Sequence, residues 1–250
     1  MINFYLLRGM SRESAHWGCF QNTLEMHFPG QTIVQMDLPG FGQLNNINSP
    51  KNMEDIIKVL KTSYYVNSES INILIASSFA ANVALKWGSQ HAQDFHGLIL
   101  LSPSIKGICT FTERVQPRSW FNGFMILFHP SEMYREKKLL QINMNQKEMQ
   151  HELLQEWKHI RRIRPFKHKN VIRQILIAKN FEMPKIREDI PILICGSKKD
   201  KLVNCSCFVK LKDKLNADLA LHDSAGHALT LDDSDWLSEI IKNWVPEKFL

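Results

Sequence analysis

Six short apolar runs alternate with helix-like stretches along this chain, and that alternation limits its fold more than any other feature. The runs are NFYLL (Asn3–Leu7), TIVQM (Thr32–Met36), INILIA (Ile71–Ala76), GLILL (Gly97–Leu101), PILIC (Pro191–Cys195) and LALH (Leu219–His222). Their hydrophobicity is mostly continuous rather than alternating, which suits strands covered on both faces. Strands separated by helical patterns predict a mostly parallel sheet flanked by helices. One helix is expected at SPKNMEDIIKVLK, with Ser49 as N-cap and Pro50 at the first helical position. Another is expected from Phe79 to about Trp87.

The alternation stops after LLSPS. From Lys106 to Asp189 there is no strong strand signal, only the helix-like stretches SEMYREKKLLQ, KEMQHELLQEWKHIRRI and NVIRQILIAKNF. This reads as a helical insertion, residues 106–189, packed over one edge of a core built from residues 1–105 and 190–250. A length of 250 residues suits one such large domain.

The insertion also concentrates charge. Between Arg135 and Lys179 there are twelve Lys or Arg and four Asp or Glu, in a chain whose net charge is +6. No recognised motif accompanies that charge to suggest nucleic-acid binding. A surface facing an acidic partner or substrate is a second reading, and a solvated helical face a third. Arg161, Arg162 and Arg164 are expected on the outer face. Trp120, Phe121, Phe124 and Trp157 are expected on the inner face, as walls of a site or as packing within the insertion.

Five cysteines, Cys19, Cys109, Cys195, Cys205 and Cys207, form an odd and irregular set. That argues against a disulfide framework and fits a reducing cytoplasm. Cys205-Ser206-Cys207 lacks the spacing of a zinc site, so no metal is expected. No apolar run approaches the roughly 18 residues needed to span a bilayer. The start, MINFYLLRGM, lacks the basic region and cleavage site of a signal peptide. The expected location is cytoplasmic.

The third apolar run leads into Ala76-Ser77-Ser78-Phe79-Ala80. At the carboxyl end of a parallel strand, a tight turn into a helix can present a nucleophilic serine, provided small residues stand two positions either side. Ala76 and Ala80 meet that condition for Ser78. For Ser77 the flanks would be Ile75 and Phe79, too bulky. A serine that merely caps the following helix is the competing reading, and the downstream chain bears on it. A serine hydroxyl needs a base, and the base needs a carboxylate to orient it. PILICGSKKDKLV places Asp200 just past one strand, and LALHDSAGHAL places His227 just past the next. The rivals Asp189 and Asp213 fall before a strand and inside a helix. For the oxyanion, the backbone N–H of Phe79 follows the serine directly. The N–H of Met10, just past Gly9 in the loop after the first strand, is the second candidate.

Together LLRGM…HW, DLPGFG (Asp37–Gly42), LIASSFAANVAL, LICGSKKDKLV and SAGHALTLDD resemble the successive landmarks of the α/β-hydrolase superfamily. RGMSRESAHWG is similar to a bacterial subgroup of hydrolases in which arginine replaces the usual histidine of His-Gly. The resemblance implies a serine esterase or thioesterase that works without metal or organic cofactor, with Ser78, His227 and Asp200 as its catalytic residues. It puts the Arg8 guanidinium near the oxyanion loop, to hold that loop or to meet an anionic substrate. DLPGFG also resembles the methyl esterases of the biotin pathway, which act on an acyl group carried by an acidic protein, so a basic insertion would steer such a partner. A binding protein that kept the fold without the chemistry is the alternative from another class.

Overall fold

The computed structural model describes residues 1–119, 123, 126, 129–165 and 167–249. Six strands, β1 (Ile2–Leu7), β2 (Thr32–Met36), β3 (Ile71–Ser77), β4 (Gly97–Leu101), β5 (Ile192–Ser197) and β6 (Asp218–His222), form one sheet in the order β2-β1-β3-β4-β5-β6. Every pairing is parallel. Leu7 pairs with Ala76, Ser77 with Leu101 and Ser197 with His222, so the carboxyl ends of the inner strands finish level with one another.

Two apolar layers cover the sheet. One packs Leu7, Leu74, Ala76 and Leu100 against α2 (Met53–Ser63) and α3 (Phe79–Gln90). The other packs Leu6, Ile73, Ile75 and Ile99 against α1 (Phe20–His27) and the C-terminal helix. Alternate residues of β3 enter opposite layers, which is why its sequence reads as a continuous apolar run.

α2 begins later than the sequence suggested. Its N-cap is Asn52, whose side chain accepts from the Asp55 N–H at 2.8 Å. Ser49 is instead buried in the preceding loop, where its N–H donates to Asn170 Oδ1 and its carbonyl accepts from Arg173 Nη1. Asn caps a helix as well as Ser does, so tertiary anchoring of Ser49 decides the boundary.

Between β4 and β5 the chain forms α4 (Phe111–Arg114), α5 (Glu132–Asn143), α6 (Gln150–Ile163) and α7 (His168–Asn180) among the described residues. The last three match the helix-like stretches. Their position does not match a single edge, because β4 and β5 are neighbours inside the sheet. α5 and α6 pack Leu140, Met144, Leu153, Trp157 and Ile160 against Ala228 and Leu231. α7 instead sends Val171 and Ile177 into the layer that holds α3, and Asn170 Nδ2 donates to the Gly40 carbonyl. The insertion therefore reaches across the carboxyl ends of the strands, from the β2 loop to the last third of the chain. That last third adds α8 (Ser206–Leu215), the short α9 (Leu229–Asp232) and α10 (Ser234–Phe249). Among the described residues, no helix is long and apolar enough to cross a membrane.

Candidate active site

From β1 the chain crosses to β2 on one side and later to β3 on the other, so the strand order reverses between β1 and β3. In open parallel sheets a crevice forms outside the carboxyl ends at such a point. Gly9 after β1 and Ser78 after β3 meet there. A Cβ at Gly9 would lie 2.9 Å from the Ser77 carbonyl oxygen and 3.1 Å from Ser78 Cβ, so only glycine lets the two loops come this close.

Ser78 sits at φ +53° and ψ −116°, a strained conformation for a residue with a side chain. Its N–H is tied to the Leu101 carbonyl at 2.8 Å. Ala76 and Ala80 on either side are fully buried, which leaves no room for larger side chains in the turn. The strain turns the Ser78 hydroxyl away from the sheet and toward His227, whose Nε2 lies 3.0 Å from Ser78 Oγ. His227 Nδ1 lies 2.8 Å from Asp200 Oδ2. A carboxylate only accepts, so Nδ1 carries the proton and Nε2 is left to accept from the serine. The other carboxylate oxygen, Asp200 Oδ1, accepts the N–H groups of Leu202 and Val203 at 2.7 and 3.0 Å.

Three supports of His227 were not read from the sequence. Ser102, at φ +47° just past β4, donates its hydroxyl to the His227 carbonyl at 2.8 Å. The Ala228 N–H donates to the Asn143 carbonyl at 2.8 Å, at the end of α5. The buried Asp232 carboxylate accepts from the Gly226 N–H on one side and from the N–H groups of Asn145 and Gln146 on the other. Nothing local in LLSPS or TLDD marks these residues, because each acts on chain that is distant in sequence or brought in by the insertion.

The oxyanion candidates stand beside Ser78. Phe79 opens α3, so its N–H is one of the helix N-terminal donors that lack an intrahelical acceptor. Met10 follows Gly9 in a tight turn, Gly9–Arg12, closed by the Arg12 N–H on the Gly9 carbonyl at 3.2 Å.

Arg8 is sealed at 6 % exposure. Its Nη1 donates to Thr230 Oγ1 at 3.1 Å and its guanidinium lies 4.8 Å from the Trp17 ring centre. Among the described residues no carboxylate pairs with it, and burial, with Arg12 nearby, lowers its pKa to about 9. It ties the β1 loop to α9, three residues beyond His227.

Other expected site residues fall elsewhere. Trp157 is enclosed between His16, edge-on at 4.9 Å, and the Arg12 guanidinium at 4.1 Å, so it packs α6 onto the β1 loop and does not line the site. Trp120, Phe121 and Phe124 lie outside the described residues. Arg161 is not on the outer face: it is 3 % exposed and binds Glu136 Oε1 at 3.0 Å, while Arg12 binds Glu136 Oε2 at 2.8 Å. Arg164 pairs with the buried Glu13 at 2.6 Å. Of the three, Arg162 is the exposed one, and among the described residues it makes no ion pair. The reason is periodicity, since Arg161 falls on the same helical stripe as Leu153, Trp157 and Ile160. Burial pushes the Glu136 carboxyl up, but the two guanidinium groups outweigh it and hold the carboxyl below its ordinary range. His16, buried beside Arg12, Arg161 and Arg8, is pushed well below the usual histidine range and stays neutral.

Serine, aspartate and histidine arriving in that chain order at the carboxyl ends of a parallel sheet is the arrangement of the α/β-hydrolases, and this chain falls in that class. Within it, the chain belongs to the serine aminopeptidase, S33 family, whose model matches residues 7–234. The fold is similar to that of an esterase from Exiguobacterium antarcticum, with TM-score 0.74 and 15% identity over 98% of this chain and 92% of the other. A thermophilic esterase from Thermogutta terrifontis gives 0.73 at 13% identity, covering 100% of this chain and 91% of its own. A hydrolase from Oleispira antarctica, olei00960, gives 0.71 at 16%, covering 98% and 91%. At such identities the likeness speaks for the fold. A search of curated proteins finds no match.

Proposed function

We propose that this protein is a serine hydrolase that cleaves a carboxylic ester or thioester through an acyl-enzyme. The observation that carries the reading is the unbroken run from Ser78 Oγ through the His227 ring to Asp200, with links of 3.0 and 2.8 Å. Ser78 Oγ attacks the carbonyl carbon as His227 Nε2 takes its proton. The N–H groups of Phe79 and Met10 bind the oxyanion, and His227 returns the proton to the departing alkoxide or thiolate. Water then attacks the acyl-enzyme with His227 as base, releasing the acid and restoring Ser78.

The family name raises a peptide substrate with a free amino terminus. Such a substrate needs a carboxylate to receive its ammonium group. Glu136 is shared by Arg12 and Arg161, and Glu13 is taken by Arg164, while Arg8 adds a further positive charge. With both of these carboxylates committed to guanidinium groups, an acyl group without an ammonium is the better supported substrate. Acyl esters borne by an acidic carrier remain a narrower version, supported by exposed Lys158, Arg162, Lys167, Lys169 and Lys179 but not by Arg161 or Arg164.

The wild-type protein should be labelled by a fluorophosphonate probe and should hydrolyse p-nitrophenyl acetate well above the rate for an aminoacyl p-nitroanilide. No labelling and no ester turnover would leave only a binding role, and faster anilide cleavage would make it a peptidase.

A further inference from the structure

Ser11 is a non-glycine residue at φ +57° in the third position of the Gly9–Arg12 turn, a place where glycine is normally required. Such a conformation is strained for a residue with a side chain and persists only when the surroundings fix it. Two side chains of the insertion do so. Gln174 Oε1 on α7 accepts the Ser11 N–H at 3.2 Å, and Arg161 Nη2 on α6 donates to the Ser11 carbonyl at 3.4 Å. Arg161 is in turn held by Glu136 on α5. Gln174 and Glu136 are both almost wholly buried.

The turn fixes the direction of the Met10 N–H. The Gly9 carbonyl and the Met10 N–H share one rigid peptide plane. That carbonyl is anchored by the Arg12 N–H, so the donor points the opposite way for as long as the turn keeps this form.

Resting on the serine-hydrolase reading, we propose that Gln174 and Arg161 are positioning residues: the insertion holds a strained turn so that the Met10 N–H is aimed at the oxyanion. In this arrangement the helices over the strand ends complete the machinery as well as covering it. Gln174 is the cleaner probe, because among the described residues its Nε2 has no partner and replacing the amide removes only the bond to the Ser11 N–H. Arg161 and Glu136 belong to a buried ion cluster whose disruption threatens folding.

The test compares Gln174→Met, Gln174→Glu and the double variant Gln174→Met with Ser11→Gly. Gln174→Met should lower kcat for p-nitrophenyl acetate by roughly tenfold to a hundredfold with KM within about twofold, a fraction of the 10²–10³ that follows full loss of an oxyanion donor. Gln174→Glu keeps the acceptor and should retain most of the rate. Adding Ser11→Gly removes the strain, because glycine takes positive φ freely, and should recover much of the loss. A purely structural role for Gln174 would predict no such recovery. Amide exchange at Ser11, which needs no turnover, should quicken in Gln174→Met. Unchanged exchange, an effect on KM alone, or failure of Ser11→Gly to rescue overturns the proposal. If the wild type turns over no ester, the hydrolase reading falls first, and the catalytic meaning of the clamp with it, whatever the exchange shows.

Discussion

Ser78→Ala is expected to reduce p-nitrophenyl ester hydrolysis by roughly 10⁶ in kcat, as removal of a triad nucleophile does elsewhere, and to abolish fluorophosphonate labelling. Ser77→Ala should keep a good fraction of both. The asymmetry follows from the turn. Ser77 ends β3 and is paired in the sheet with Leu101, whereas Ser78 alone occupies the strained position that brings its hydroxyl to His227. A residual rate above the uncatalysed reaction should survive in Ser78→Ala, from the oxyanion donors and binding. Equal loss from both variants, or none from Ser78→Ala, would move the nucleophile elsewhere.

Asp200→Asn should cost on the order of 10⁴ in kcat, and the geometry gives a reason beyond lost charge. The Leu202 and Val203 N–H groups demand an acceptor at the Oδ1 position, so the asparagine oxygen is held there. Its NH₂ then faces His227 Nδ1 and forces that nitrogen to accept. The ring proton moves to Nε2, which can no longer take one from Ser78. His227→Ala should fall close to the Ser78→Ala level, and a double variant should add little, because the three groups act as a unit. Near wild-type kcat in Asp200→Asn would mean that another carboxylate orients the histidine.

The strands and the Ser78, His227 and Asp200 positions are legible in the sequence because each rests on a local pattern. A doubly covered strand must be a continuous apolar run, and a reactive side chain in such a sheet follows directly after one. The supports of the site are not local. Ser102, Asp232 and Gln174 are polar residues whose partners lie 125, 87 and 163 positions away. Periodicity did hold a signal for two of the misses. Arg161 shares the stripe of Leu153, Trp157 and Ile160, and Gln174 lies between Val171 and Ile177 on the buried side of α7. A polar residue at a core position on a helix marks a buried partner, and Arg161 and Gln174 both fit that pattern. Ser49 and Asn52 are equally good caps by type, so only the Asn170 and Arg173 contacts separate them.

Asp232 fastens the junction after α5 to the backbone of Gly226, one residue before His227. Any swing of α5 and α6 away from the strand ends would drag on that carboxylate and pull the imidazole off Ser78. An open form would therefore be an idle form, with access gained and the base misplaced by the same movement. Joining Asn145→Cys to Ser224→Cys, positions already bridged by the Asn145 side chain on the Ser224 carbonyl at 2.9 Å, checks this. Turnover of a small ester should stay within about twofold after oxidation; a large loss reversed by reductant would mean that the helices do swing each cycle. Turnover kept in the joined form would mark the insertion as a fixed roof rather than a door, with substrates sorted by what can slip in beneath it.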